Sequence, residues 1–290
     1  MENTTREESV QIQNKFFKYE FKTFNEIISS LVITTLIFAV YSGVVPGAAL
    51  AFSPKLIFVF FSFFFFRVIY KILDRENYDE TLNNFLMGAL WFWVPLNYIM
   101  SDSPYVFTFL LVFLFLKSRN FFMGQSLRLN PFMNILLNSN YAFLLTVYLI
   151  SIFLMDQRLS LLNDQAILLA FALWLTYLSY KLAKSIRGDK IELEQEYISA
   201  QLGPLKSAFI VLITLLIQLA LFIFLTKGML YRFEVLLGLT TLYVFHYFVY
   251  HFYLLKTTDR EARALSPTTL SYGLASMFII LVASVLENLL

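Results

Sequence analysis

The sequence predicts an all-α fold, a polytopic transmembrane helix bundle of about nine helices with its N-terminus in the cytoplasm. Three observations predict it. The chain is 59% hydrophobic and 14% charged, against about 25% charged residues in a soluble domain. Apolar runs recur near residues 27–45, 56–71, 82–100, 104–117, 131–155, 164–182, 204–226, 229–255 and 268–288. Most are long enough to cross a hydrocarbon core of about 30 Å at about 1.5 Å per residue. The basic residues also sort by side. With the N-terminus inside, 18 of the 22 Lys and Arg fall in the leader and in the connections after the second, fourth, sixth and eighth segments. That is the positive-inside pattern. Losing one segment would scramble the split, so parity supports nine and puts the C-terminus outside.

Residues 1–26 are polar and are expected to be cytoplasmic, with residues 27–290 forming one transmembrane helical domain. Phe16, Phe17, Tyr19, Phe21 and Phe24 alternate with Lys15, Lys18 and Lys22, so part of this leader is expected to lie in the headgroup region as a short amphipathic helix. It has no apolar core, and no cleavable signal peptide is expected. With no cysteine, the chain has no disulfide, thiolate metal site or cysteine nucleophile. No Walker loop, dinucleotide fingerprint or nucleophile elbow occurs. The net charge of +2 is sorted by side, which suits a membrane and not a nucleic-acid groove. Membrane lipids are the expected partners, and a bacterial cytoplasmic membrane is the expected location.

Along the chain, Pro46 follows the first segment in an outer turn. Pro54, Pro104, Pro131, Pro204 and Pro267 stand at or just before expected helix starts, where a missing N–H matters little. The second segment carries the run Phe60–Phe61–Ser62–Phe63–Phe64–Phe65–Phe66, which covers every face of a helix, so some rings meet lipid and others the bundle. The third holds Pro95, expected to kink it, and Trp91 and Trp93 as depth markers. In the fifth, Asn130, Asn134 and Asn138 recur every four residues with Tyr141 beyond, a polar line expected to face the interior. Gln218 in the seventh is expected to make an interhelical hydrogen bond. Glu234 opens the eighth and complements its helix dipole. His246 and His251 stand about 140° apart around a helix and do not converge on one metal. No other acid lies deep in an apolar segment, which argues against an ion-coupled transporter.

Two inner connections mix acids and bases at helical spacing. Arg67, Tyr70, Lys71 and Asp74 fall at i, i+3, i+4 and i+7 and share one face if the helix continues. Tyr177, Lys181, Lys184 and either Gly188 or Asp189 do much the same after the sixth segment. The two connections lie four segments apart and leave the membrane on the same side, a weak repeat of charge. Carboxylates and cations converging at a membrane mouth suit a diphosphate, with Mg2+ on carboxylate and phosphate oxygens and Lys and Arg neutralising the rest. The plainer alternative is interfacial charge satisfied by water, lipid phosphates and neighbouring side chains.

At these connections the chain resembles the UbiA superfamily of intramembrane prenyltransferases. Lys184–Ser185–Ile186–Arg187–Gly188–Asp189–Lys190, followed by Leu202–Gly203–Pro204, looks like the family's Lys-Asp-Ile-x-Gly-Asp-Arg stretch and its downstream Leu-Gly. Ser185 stands where the family carries an Asp. The first motif, with acids four residues apart, reads Tyr70, Asp74 and Tyr78 here; Asp79 and Glu76 stand close by. A related branch's Arg-x-x-Asp-Glu-x-x-Asp matches at Arg67 and Asp74, with Tyr70 and Lys71 in place of its first two acids. The resemblance implies nine helices and a transferase moving a polyprenyl group from its diphosphate to a lipophilic acceptor. It implies catalytic Asp74 and Asp189, Mg2+ on Asp74, Asp79 and Asp189, and a diphosphate held by Arg67, Lys71, Lys184 and Arg187. Tyr70, Tyr177 and Lys181 complete the expected substrate-binding set, and Asn134 and Asn138 would read the acceptor headgroup. Two other classes remain open: a non-catalytic lipid-binding or assembly subunit of the same fold, and a small-solute permease.

Overall fold

Proline places the helix starts, and a computed structural model of the protein follows four of the five expected ones. It describes residues 34, 37, 54–73, 88, 91–99, 104–123, 129–157, 164–187 and 197–289, with no strand among them. The helices are α1 (Pro54–Leu73), α2 (Pro104–Ser118), α3 (Pro131–Gln157), α4 (Asp164–Lys184), α5 (Ile198–Leu202), α6 (Pro204–Leu225), α7 (Arg232–Leu255) and α8 (Asp259–Leu289). Helix also covers residues 91–99, through Pro95. The expected cytoplasmic leader, residues 1–26, lies outside the described residues. Among the described residues, five helical stretches are long and apolar enough to cross a membrane: Pro131–Ile152, Gln165–Lys184, Pro204–Leu225, Arg232–Leu255 and Arg260–Glu287. Several such helices in one chain make this a multi-pass membrane protein by length and composition.

Pro267 departs from expectation. It lies inside α8, which begins at Asp259. The stretch Asp259–Ala264 contains good helix formers, and Glu261 stands in the first turn, where an acid complements the dipole. The Ala262 N–H donates to Thr258 O at 3.0 Å. The preceding turns are therefore helical on their own account, and Pro267 sits on the exposed side.

α4 is the hub. It packs against α3, α6 and α8, while α7 packs on α6 and α8, and α1 and α2 lie against α3. Two apolar cores result. One joins Phe63 and Phe66 of α1, Phe107 and Leu110 of α2, and Tyr148 and Ile152 of α3 to Leu169 of α4. The other joins Leu178 and Leu182 of α4, Val211 and Leu215 of α6, Tyr250 and Tyr253 of α7, and Leu265 and Tyr272 of α8. The phenylalanine run divides as expected: Phe63 and Phe66 are buried and Phe61 is half exposed. Trp91 is exposed, whereas Trp93 stacks on Phe58 and donates to Ser62 Oγ at 3.3 Å.

Hydroxyls and one amide join the helices within the apolar interior. Buried Gln218 of α6 donates to Thr176 Oγ1 of α4 at 2.6 Å, the interhelical role expected of it. Ser179 of α4 donates to Thr214 Oγ1 of α6 at 2.8 Å. Gly273 of α8 meets α4 at Thr176, where an added Cβ would stand 2.1 Å from Thr176 Cγ2. Only glycine permits that approach.

Candidate functional site

At one end of the bundle, aromatic, amide and cationic side chains from four helices meet. Tyr70, in the last turn of α1, is buried because its ring stacks on Tyr141 of α3, with centroids 4.3 Å apart and planes 17° apart. Its hydroxyl donates to the Asn138 carbonyl at 3.1 Å. Lys117, in the last turn of α2, is buried with its Nζ 5.5 Å from the Tyr70 ring centroid. An ammonium over a phenol face is attracted by the ring quadrupole. The Asn138 amide donates to Asn134 O at 2.8 Å and to Asn134 Oδ1 at 2.5 Å.

α4 closes the cluster. Trp174 donates to Ser139 Oγ at 3.0 Å, fixing α4 to the same turn of α3. One turn further on, Tyr177 lies within electrostatic range of Tyr141, as does the Arg67 guanidinium of α1. Lys181 Nζ lies 5.5 Å from the Tyr177 ring centroid. Arg67 and Tyr177, which the sequence places 110 positions apart, thus both lie within electrostatic range of Tyr141. Two polar atoms here are buried without a hydrogen-bond partner, Tyr141 Oη and Asn138 Oδ1. Buried polar atoms rarely go unpaired, so each has room in its bonding for one more partner.

The structure thus brings together Arg67, Tyr70, Asn134, Asn138, Tyr177 and Lys181 of the expected set. Asn130, the first member of the polar line, departs from it: it is exposed and accepts the Met133 N–H at 3.1 Å, capping α3. It lies before the first helical turn, where a side-chain oxygen can satisfy a free N–H. Lys184 is exposed. Arg187 belongs to a second constellation. Its guanidinium stacks on Tyr197 at 4.9 Å, its N–H donates to Ser199 Oγ at 3.0 Å, and its carbonyl accepts from Tyr253 at 3.2 Å. Buried Ser185 accepts the Ile198 N–H at 3.1 Å. Gly203, at φ 79°, then turns the chain into α6 with Pro204 at its first position.

Asp74, Asp79 and Asp189 lie outside the described residues, and Lys71 is described only as part of α1. Among the described residues no group of His, Cys, Asp or Glu is spaced for a metal ion. The two histidines are apart, His246 buried and His251 exposed with its ring stacked on Tyr247. Two members of the cluster were not singled out by sequence reasoning as site residues. Lys117 reads as an ordinary inner-loop cation, and Tyr141 as the end of a polar line. The signal for Tyr141 was its three-residue step from Asn138, which puts the two on one helix face. Nothing in the sequence signals the burial of Lys117. No family model, curated protein or solved structure matches this chain.

Proposed function

We propose that this chain is a divergent UbiA-like membrane prenyltransferase that holds a polyprenyl diphosphate at the mouth formed by α1, α2, α3 and α4. In this reading nine segments cross a bacterial cytoplasmic membrane, the N-terminus is cytoplasmic, and the mouth faces that side. The observation that carries it is the gathering of Arg67 and Tyr70 of α1 and Tyr177 and Lys181 of α4 near Tyr141, since these helix ends lead into the two connections singled out in sequence.

The donors fit the ligand. A guanidinium, two ammonium groups, phenols and amides suit phosphate oxygens. They do not suit Mg2+, which takes carboxylates. The carboxylates assigned to it, Asp74, Asp79 and Asp189, would hold the ion, whose positive charge would offset that of the diphosphate. Arg67, Lys117 and Lys181 offset the charge that grows on the diphosphate as its C–O bond breaks and takes the electron pair. Aromatic rings lining the apolar cavity would stabilise the allylic cation left behind. The acceptor's nucleophilic atom then bonds to that carbon and gives its proton to the departing diphosphate, with Asn138 Oδ1 as a hydrogen-bond acceptor for the acceptor's headgroup.

One observation favours a second reading, a diphosphate-lipid binder without transfer. At two positions where the resemblance calls for acids, Tyr70 and Ser185 are engaged in holding the fold together. The experiment is binding and turnover of a labelled polyprenyl diphosphate by the purified protein, with Mg2+ and with chelator, in wild type and Arg67→Gln. Mg2+-dependent binding with prenyl transfer, both lost in Arg67→Gln, supports the transferase. Binding that survives chelation, without transfer, supports the binder. No binding removes both.

A further inference from the structure

His246 lies on α7, buried to 2% exposure, away from the site above. Its Nδ1 is 2.7 Å from the carbonyl oxygen of Leu242, one turn back on the same helix. Its Nε2 is 2.8 Å from the carbonyl oxygen of Thr268 on α8. A carbonyl oxygen only accepts, and a neutral imidazole carries a single N–H. One of the two contacts in a neutral ring would therefore set a nitrogen lone pair against an oxygen lone pair at hydrogen-bond distance. Two ring protons satisfy both. The Ser271 hydroxyl, 3.4 Å from Nε2, already donates to Thr268 O at 2.7 Å and leaves the ring to act as donor.

We propose that His246 is a proton-binding site whose imidazolium pins α7 to α8 through these two carbonyls. Two carbonyl oxygens and an aromatic ring surround the imidazole. Tyr272 of α8 presents its ring 5.1 Å from the imidazole centroid, at 66°, and Tyr243 of α7 packs behind Tyr272. α6, which also packs on α7, carries no titratable side chain from Ser207 to Leu225. The charged residues of α8, namely Asp259, Arg260, Glu261, Arg263 and Glu287, sit toward its two ends.

His251 is exposed, so His251→Gln leaves one imidazole to observe. The test is nitrogen NMR of that variant, ring-15N-labelled on histidine and reconstituted in liposomes at neutral pH. The proposal expects both ring nitrogens to give protonated-type signals, and the same spectrum with Ser271→Ala added. One bare nitrogen in the His251→Gln protein overturns it. So does a spectrum that changes to two protonated nitrogens only when the Ser271 hydroxyl is removed, because the hydroxyl would then have been donating to the ring.

Discussion

The last turns of α1 and α4 leave the bundle at the same end but are tied down by different chemistry. α1 ends in ring faces: Tyr70 stacks on Tyr141 and lies under Lys117. α4 ends in a hydroxyl clamp: Ser185 and Ser199 each accept a backbone N–H across the connection to α5. The ring contacts are large and apolar with one hydrogen bond at the rim. The clamp is small, and its hydrogen bonds satisfy backbone groups that water does not reach. Truncating the first therefore removes area, and truncating the second strands a donor.

That contrast orders the expected effects, read as unfolding of the purified protein in detergent. Tyr70→Ala should cost the most, about 3–5 kcal/mol, because a buried aromatic leaves a cavity. Ser185→Ala should cost about 1–3 kcal/mol, since the buried Ile198 N–H loses its acceptor. Tyr70→Phe keeps the stack and loses only the bond to the Asn138 carbonyl, so about 0.5–1.5 kcal/mol is expected. A Tyr70→Phe loss larger than that of Ser185→Ala would break the comparison. Combining the two should add to within about 0.5 kcal/mol, because they share no partner.

Tyr141→Phe sharpens the contrast by changing sign. Its hydroxyl is buried without a partner, so removing it should leave stability unchanged or raise it by up to about 1 kcal/mol. In the proposed function it should weaken diphosphate-lipid binding about tenfold, or about 1.4 kcal/mol, measured as a dissociation constant. A stability loss as large as that of Tyr70→Phe would mean the hydroxyl is structural and not held for a ligand.

Much of the fold was legible because apolar length and proline report it directly. α2, α3, α4 and α6 begin at or next to their expected first residues. α8 was misread at its start because a charged stretch with good helix propensity precedes Pro267, and apolar length does not see charged helix. In the site, Asn134, Asn138 and Tyr141 were legible from their spacing, and Arg67 and Tyr70 from theirs. Lys117 was not, because a lysine at the end of an apolar run carries the same sequence signal whether it reaches water or folds back under a ring. The clamp around Ser185 was not legible either, since it joins residues across a connection whose path the sequence does not give.

The central place of α4 also bears on the order of synthesis. Thr176 and Ser179 emerge from the ribosome about 40 residues before Gln218 and Thr214, the partners that satisfy them, and further still before Gly273 closes over Thr176. α4 thus enters the bilayer with hydroxyls that can turn back only on its own carbonyls, as Thr176 does toward Ala172 at 3.0 Å. Its lasting place among its neighbours is settled only when α6 and then α8 arrive, so chains truncated after α4 should be held by the insertion machinery or degraded.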